Sequence, residues 1–441
     1  MTTVQTYSAR AKDKLASPTS KLPIAAACFG NFIEFYDFII WGYFATVLAA
    51  LFFPSEDPVA GLLVTYTVYA VSYIARPLGG LIFGYLGDRY GRRTPLTISI
   101  LLIAGSTALI GLMPTYASIG IAAPILLTLL RLAQGVAVGG EYGGAMAYIS
   151  ENAPIERRGL YSSWQYFTLG AGLAAGAAVA TLFTSTLSAE ALHEWGWRVP
   201  FLLGAPLGVF GLVIRLRLDE TPSFKALRDK LEHESAPIRT GIKKEWRTLV
   251  WGFGLTILSS ISVNTFFVFM PAYLEVNHHY SSSFSKAVTL VGLVVLCALV
   301  PLFGALSDKI GRKPILIGGS LALMIFTYPL YQVFGTQDVT YATLSLIGLS
   351  LIAAPLSAVL LPAIAESFPT TFRYTGSSLS LNIATMAVGG TAPLFSSLLI
   401  RASGSNSAPA LLVCFAGIMT LAAAFFYRER AGQPLRQTSD D

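Results

Sequence analysis

Long apolar runs separated by short polar segments occupy most of the chain. A run of about 18 or more apolar residues can cross a hydrocarbon core of about 30 Å as a helix that rises about 1.5 Å per residue. We place twelve such spans, near 23–50, 60–84, 95–113, 121–149, 160–184, 197–217, 248–275, 285–304, 314–333, 341–366, 372–400 and 408–427. The pattern predicts an all-α membrane protein with twelve transmembrane helices and no sizeable soluble domain.

Composition agrees with lipid as the solvent. Of the 441 residues, 54% are hydrophobic and only 12% are charged, whereas about 25% charged residues are usual in soluble domains. The segment before Pro23 is polar and basic, and the apolar stretch after it outruns a signal-peptide core, so we expect the first helix to be retained. The three cysteines lie in or beside apolar spans and indicate neither a disulfide framework nor a metal site.

The distribution of Lys and Arg predicts the orientation. If both termini are cytoplasmic, 25 of the 30 basic residues fall on the cytoplasmic side, and only Arg198, Lys286 and Arg401 fall on the other. This bias predicts a multi-pass membrane protein with both termini inside. The net charge of +6 then follows from the cytoplasmic loops and requires no nucleic-acid partner.

Two motifs recur along the chain. The segment 84–93 (GYLGDRYGRR) reappears as 304–313 (GALSDKIGRK) at an offset of 220, and 151–158 (ENAPIERR) reappears as 366–373 (ESFPTTFR) at an offset of 215. Two elements with nearly the same offset indicate duplicated halves of six helices each. The predicted organisation is a cytoplasmic segment 1–22, a first bundle 23–217, a cytoplasmic linker 218–247, a second bundle 248–427 and a cytoplasmic tail 428–441.

The repeated motif Gly-x-x-x-Asp-Arg/Lys-x-Gly-Arg-Arg/Lys resembles the signature of the major facilitator superfamily. Further segments are similar to its metabolite:proton symporter family, namely GNFIEFYDF (30–38), RPLGG (76–80), RLAQGVAVGGEYGGA (131–145), WGWRVPF (195–201) and LDETPSF (218–224). MPAYL (270–274) and LPAIAESFPTTFRYTG (361–376) resemble the proline/betaine branch most. The long C-terminal coiled coil of some osmosensing members has no counterpart in the 14 residues after Tyr427.

The resemblance implies a proton-coupled symporter that imports a small carboxylate-bearing or zwitterionic metabolite by alternating access. Family members carry shikimate, 2-oxoglutarate, citrate, proline or betaines, so the resemblance specifies the mechanism better than the substrate. The partners expected from the resemblance are the solute, protons and the lipid bilayer, and the location expected is the bacterial inner membrane. Because each chain holds a complete pair of halves, we expect a monomer, with no cofactor and no metal.

Five ionisable residues fall within the spans: Glu34, Asp37, Arg76, Arg131 and Glu141. Because a charge in hydrocarbon costs several kcal/mol, each is a functional hypothesis. Glu34, Arg76 and Glu141 are predicted to share a level about 15–18 Å from the cytoplasmic face. The four histidines fall in loops or at helix ends, which leaves a carboxylate as the proton carrier. We predict that Glu34 or Asp37 carries the proton, with Glu141 next.

The alternative to these roles is structural pairing. Arg76 and Glu141 would then neutralise each other between helices 2 and 4, and Arg131, nearer the outer face, would also have a structural partner. Glu34 and Asp37 lie three residues apart on one face of helix 1, which is hard to explain as packing.

Several residues at comparable depth are candidates for the substrate cavity. A guanidinium suits a carboxylate, and aromatic faces suit a quaternary ammonium group. For the uncharged members, packing between helices is the alternative. The candidates are Arg76, Tyr36, Trp41, Gln165, Tyr166, Asn264, Tyr273 and Asn382.

The repeated polar motifs lie too near the cytoplasmic face to hold a solute at the midplane. The resemblance implies that they latch this side in the outward-open state through charge pairs, and a positive-inside anchor is the alternative. The positions that match the latch are Asp88 with Arg92, Glu151 with Arg158, Asp308 with Arg312, and Glu366 with Arg373.

Other classes of function fit less well. A proton-driven efflux antiporter would use the same fold and acids, and a membrane sensor or scaffold that no longer transports is a further alternative. The sequence has no Walker or dinucleotide motif and no spacing that groups a nucleophile, a base and an orienting residue. We therefore expect no catalytic residues, no ATP use and no enzymatic activity.

Overall fold

The computed structural model describes residues 21–56, 58–231 and 238–438. Most of the predicted N-terminal segment, with Arg10, Lys12 and Lys14, lies outside the described residues, as do His233 and the last three residues of the predicted tail.

The first half contains six long helices, α1 to α6. A short helix, Ala45–Phe52, continues α1, and three short turns between Ala189 and Leu202 lead into α6. Their bounds are α1 Lys21–Tyr43, α2 Pro58–Tyr90, α3 Arg93–Leu112, α4 Ala122–Asn152, α5 Arg158–Thr186 and α6 Gly204–Leu216.

The second half contains α7 to α12. The connector between the halves includes the helix Pro222–Leu231. Both α7 and α11 contain a π-helical turn, at Asn264–Val268 and Thr385–Gly389, after which they continue as Met270–His278 and Ala392–Ser403. The bounds are α7 Ile238–Val263, α8 Ser282–Ile310, α9 Arg312–Val333, α10 Val339–Ser367, α11 Arg373–Ala384 and α12 Pro409–Phe426.

Eleven helical segments of the described chain are long and apolar enough to cross a membrane, and α2 is a further helix of 33 residues. The described ranges contain helices, turns and loops but no strand. The prediction of a twelve-helix membrane fold is confirmed.

Glycines bring the helices of the first half close together. A Cβ atom on Gly135 would collide with the Ser72 carbonyl of α2, and a Cβ on Gly139 would collide with the Arg76 carbonyl. The lack of side chains lets α4 pack directly against the backbone of α2. This approach places the polar side chains of the two helices in one interior.

The halves meet along two groups of three helices. In the described chain, α2 and α4 pack against α11, and α5 packs against α8 and α10. The halves are closed against each other at the end formed by segments 84–93, 151–158, 304–313 and 366–373, which we call the basic end.

Candidate functional site

Three buried carboxylates lie inside the first half, and they differ in how far ion pairs and hydrogen bonds offset the cost of burying their charge. The exposed fractions of Glu34, Asp37 and Glu141 are 1%, 4% and 0%. Because a buried charge is stable only when it is paired and hydrogen-bonded, their partners decide what each can do.

Asp37 is held by a complete set of partners. Arg131 Nη1 lies 2.6 Å from one carboxylate oxygen, while Thr107 and Gln134 donate to the other at 2.9 and 3.1 Å. The Arg131 guanidinium also lies 3.8 Å from the centre of the Trp41 ring. The structural partner predicted for Arg131 is therefore Asp37.

Glu141 pairs with Arg215 and not with Arg76. Arg215, near the end of α6, makes a two-pronged contact with the Glu141 carboxylate, and Ser99 donates a hydrogen bond to it. The structure therefore does not support the alternative in which Arg76 and Glu141 neutralise each other. Sequence analysis placed Arg215 among the cytoplasmic basic residues, although its position within the span 197–217 was a signal that it could lie inside the bundle.

Glu34 is the least compensated of the three acids. Its nearest cationic atom is Arg76 Nη2, 3.7 Å away, and neither carboxylate oxygen finds a hydrogen-bond partner within the described part of the chain. The fully buried amide of Asn31, one turn earlier on α1, also lacks partners among the described residues. This cluster contains polar groups whose hydrogen-bonding capacity is unused.

Aromatic rings surround the Arg76 guanidinium. Its central carbon lies 4.2 Å from the centre of the Tyr73 ring and 4.8 Å from that of Phe38. Sequence analysis missed Asn31 and Tyr73. Tyr73 was visible one turn before Arg76, but the direction of its side chain was not.

A small cavity joins the surroundings of the first two acids. It is lined by both carboxylates and by α2 and α4, with Ser72, Arg131 and Gln134 as its other polar residues. Glu34 and Asp37 thus face one shared polar space, whereas Glu141 is not among its lining residues.

The predicted substrate residues divide into two groups. Tyr166 bonds to Ser259 at 2.9 Å and Asn382 donates to the Gly139 carbonyl at 2.7 Å, and both contacts join the two halves. Gln165 donates to the Tyr142 carbonyl at 3.0 Å. Tyr166 and Asn382 thus lie at the interface between the halves, and Gln165 links α5 to α4 within the first half.

Three further candidates have hydrogen-bond partners within their own half of the molecule. Tyr36 donates to the Pro200 carbonyl at 2.7 Å, and Asn264 donates to the Ser260 carbonyl of its own helix at 2.9 Å. Tyr273 donates to the Asn406 carbonyl at 2.9 Å and contacts His278. These contacts favour packing roles for Tyr36 and Tyr273.

The gating motifs form a network at the basic end that crosses between the halves. Arg92 makes two hydrogen bonds to Glu151, at 3.0 and 3.1 Å, and Arg373 of the second half contacts the same carboxylate at 2.7 Å. The Arg92 guanidinium also lies 3.4 Å from Asp88.

The second half repeats this arrangement. Glu366 is bound by Arg312 of its own half and by Arg158 of the first half, each at 3.1 Å. Arg312 also pairs with Asp308 at 2.9 Å. The matched positions Glu151 with Arg158 and Glu366 with Arg373 are therefore exchanged, since each glutamate contacts the arginine of the opposite motif.

The two aspartates of the repeated motif cap helices of the opposite half. Asp88 accepts hydrogen bonds from the backbone N–H groups of Tyr374 and Thr375 at 3.0 and 2.9 Å. Asp308 accepts from those of Gly159 and Leu160 at 2.7 and 2.9 Å. A carboxylate at a helix N-terminus satisfies free N–H groups and the helix dipole, so both contacts stabilise the closed basic end.

Comparison with known proteins identifies close relatives. The chain is 36% identical over 422 residues to the proline/betaine transporter of Salmonella typhimurium, covering 94% of this chain and 84% of that protein. It is 37% identical over 426 residues to the ectoine/proline transporter of Corynebacterium glutamicum, covering 92% and 83%. It is 35% identical over 398 residues to the citrate-proton symporter of Salmonella typhi, covering 89% and 91%.

Solved structures show the same fold. The structure of the proton:xylose symporter XylE bound to 6-bromo-6-deoxy-D-glucose matches with a TM-score of 0.78 and 20% identity, over 94% of this chain and 97% of that one. The inward-open structure of XylE from E. coli matches with a TM-score of 0.61, again at 20% identity, over 92% and 96%.

The relatives are named as transporters, and the chain is a membrane transporter and not an enzyme. The sequence profile of the Major Facilitator Superfamily matches residues 27–390 and 252–441. The resemblance found in the sequence is confirmed, and the chain belongs to the Major Facilitator Superfamily.

Proposed function

We propose that this protein is a proton-coupled symporter that imports a zwitterionic or carboxylate-bearing metabolite, with Glu34 as the proton carrier and Arg76 as the substrate-binding cation. The observation that supports this most directly is the incomplete compensation of Glu34. It is buried, 3.7 Å from its cation, and without a hydrogen-bond partner in the described chain. Asp37 and Glu141 are each fixed by an arginine and a hydroxyl donor.

Protonation of Glu34 would change the partner of Arg76. When Glu34 is ionised, it attracts the guanidinium; when it is protonated, Arg76 is left without a counter-ion and can bind a carboxylate through two hydrogen bonds. Proton and carboxylate binding therefore favour each other. This coupling lets the proton gradient, worth about 2.3 kcal/mol per charge for each 100 mV, drive accumulation of the solute.

The aromatic surroundings favour a solute that also carries a cationic amine. Tyr73 and Phe38 offer ring faces near Arg76, and a ring face attracts an ammonium group by about 0.5–2 kcal/mol. Relatives named as proline/betaine and ectoine/proline transporters agree with a zwitterion. We therefore propose a zwitterionic amino acid or betaine as the substrate, with citrate-type acids as the second candidates because of the relative named as a citrate-proton symporter.

The distribution of Lys and Arg supports one orientation in the membrane. We propose that the basic end faces the cytoplasm of a bacterium, so that the closed network of Glu151, Glu366 and their arginines represents a state with the cytoplasmic side shut. The complete site lies within one chain, which supports a monomer as the transport unit.

Transport into proteoliposomes tests the proposal. Wild-type protein should accumulate labelled proline, glycine betaine or ectoine when an inward proton gradient is imposed, more strongly than citrate, 2-oxoglutarate or shikimate. Glu34→Gln should lose gradient-driven accumulation but keep exchange of labelled for unlabelled solute, because the neutral side chain imitates the protonated state. Glu156→Gln, at an exposed position of the same half, serves as the control for loss of one carboxylate.

Two outcomes would contradict the proposal. If Glu34→Gln accumulates solute as well as wild type while Asp37→Asn does not, the proton carrier is Asp37. If an outward proton gradient drives uptake and an inward one does not, the protein is an efflux antiporter.

A further inference from the structure

The segment that follows α12 runs across the basic end and contacts both halves. The carboxylate of Glu429 accepts a hydrogen bond from the backbone N–H of Lys313 at 2.8 Å, at the start of α9. Farther along, the carbonyl of Gln433 accepts from Arg158 at 3.3 Å. The described part of the tail therefore lies over the ion pairs that close this end.

The carbonyl of Arg436 holds one of the arginines that cross between the halves. It accepts hydrogen bonds from Arg373 Nη2 at 3.0 Å and from the backbone N–H of Thr370 at 2.8 Å. Because Arg373 also contacts Glu151 of the first half at 2.7 Å, the tail fixes the direction in which this guanidinium points.

The side chain of Arg436 anchors the tail to the second half. It pairs with Glu245 at 3.0 Å and donates to the Ser367 carbonyl at 2.9 Å. Glu245 is 4% exposed and occupies a non-helical residue within α7, with φ −102° and ψ 15°. A buried carboxylate at a kink provides a fixed point for a charge-assisted hydrogen bond.

The chain after α6 provides an independent parallel. Glu220 accepts hydrogen bonds from the backbone N–H groups of Arg92 and Arg93 at 3.0 and 3.2 Å, as Glu429 does from Lys313. The preceding glycines, Gly91 and Gly311, both have positive φ angles, 105° and 93°. Each half is thus followed by a segment that caps its own third helix and continues over the gating motifs.

We propose that residues 433–438 form a strap that holds the basic end closed and that Arg436 positions this strap. Release of the strap shifts the protein toward the state open at the basic end. Opening this end separates the halves and must break the contact of Arg158 with Gln433. Detachment of Arg436 frees Arg373 to leave Glu151. The inference concerns the gate and does not depend on which solute is carried.

Distances between spin labels test the strap directly. One label at Glu156 in the first half and one at Lys309 in the second, both exposed, report on opening of the basic end by double electron–electron resonance. Arg436→Gln should raise the population of long distances at least threefold. Arg428→Gln, which removes the same charge from an exposed position in the same segment, should leave the distribution as in wild type.

Two further variants keep the result interpretable. A chain that ends after Ala431 retains Glu429 but removes the strap, and it should open at least as much as Arg436→Gln. Exchange of the charges, Arg436→Glu with Glu245→Arg, should restore the wild-type distribution. Labels at Arg89 and Glu156, both in the first half, report whether each variant is folded, since their separation should not change.

Three results would overturn the proposal. The first is an unchanged distance distribution in both Arg436→Gln and the shortened chain while the first-half distance is native. The second is an equal shift in Arg428→Gln, which would assign the effect to net charge. The third is a change of the first-half distance in Arg436→Gln that the charge exchange does not reverse, which would assign a purely structural role.

Discussion

At the scale of single residues, three carboxylates of the same interior differ in what surrounds them. Glu34 has an incomplete set of partners, whereas Asp37 has an arginine, a threonine and a glutamine. Removal of one member of a buried pair leaves the other charge uncompensated and costs about 3–5 kcal/mol, although removal of both is often neutral. Variants of the ion pairs Asp37–Arg131 and Glu141–Arg215 should therefore change the stability of the protein.

We predict that Arg131→Gln destabilises the protein strongly because Asp37 is left charged and buried at 4% exposure. The double variant Asp37→Asn with Arg131→Gln should recover at least half of the loss, since neither charge remains. Thermal unfolding in detergent measures both. Equal melting temperatures for the single and double variants would show that the ion pair is not what stabilises this site.

The sequence predicted the acids but not their partners. Glu34, Asp37, Arg76, Arg131 and Glu141 were found because a charge in an apolar span is visible in a single sequence. Which acid meets which cation depends on helix rotation and on close approaches such as that of Gly139 to α2, which spacing along the chain does not specify. For this reason Arg215 was counted among the cytoplasmic residues, and the alternative that pairs Arg76 with Glu141 differs from the pairs found in the structure.

At the scale of elements, the close contact between α2 and α4 depends on glycines, which have no Cβ atom. A Cβ atom on Gly139 would collide with the Arg76 backbone, which cannot move aside as a flexible side chain can, whereas a Cβ on Gly105 of α3 would meet nothing within 4 Å. Small-to-large changes in packed interfaces cost about 1–3 kcal/mol. An added methyl group should thus destabilise the protein at Gly139 but not at Gly105.

We predict that Gly139→Ala lowers the yield of folded protein and its melting temperature. Gly105→Ala should leave both unchanged or slightly improved, because alanine is the better helix former by about 1 kcal/mol. Fluorescence-detected size-exclusion chromatography after a heat step compares them. A Gly139→Ala protein as stable as Gly105→Ala would mean that α2 and α4 can separate without loss.

A second element-scale feature lies at the end opposite to the basic end. Burial and the neighbouring His279 lower the pKa of His278 below its usual value of 6.5. The histidine bonds to Tyr273 at 2.9 Å and packs against the Phe334 ring. Because the unfolded chain binds this proton more readily, the histidine's contribution to stability is present above about pH 6.5 and is lost as the pH falls.

We predict that the melting temperature of the wild-type protein falls between about pH 7.5 and pH 5 and that His278→Gln makes this fall smaller. His193→Gln, at an exposed position, is the matched control and should keep the wild-type dependence. A fall of the same size in His278→Gln would assign the acid sensitivity to other groups.

At the scale of the whole molecule, duplication explains most of what the sequence could predict. Two motifs with nearly equal offsets gave the two halves, and the structure places their residues at one end of the bundle in equivalent arrangements. The exchange of partners between halves was not predictable, since a repeat shows which positions correspond but not which copy each side chain contacts. Each glutamate is bound by two arginines, one from each half, so the pairs that cross the interface hold the basic end closed.

We predict that Glu151→Gln opens the basic end, because it removes the carboxylate that Arg373 and Arg92 share across the interface.

A single cysteine in place of Ser378 reports the opening when Cys28, Cys297 and Cys414 are replaced by alanine. Ser378 is fully buried where α11 meets Gly143 of α4. The reaction of this cysteine with a membrane-impermeant maleimide in inside-out vesicles should accelerate about tenfold in Glu151→Gln. Glu156→Gln, an exposed acid five residues away, should react at the wild-type rate. Since loss of any carboxylate changes the net charge equally, acceleration in Glu151→Gln alone assigns the closed state to the crossed ion pairs, and equal rates in both variants would leave helix packing as its cause.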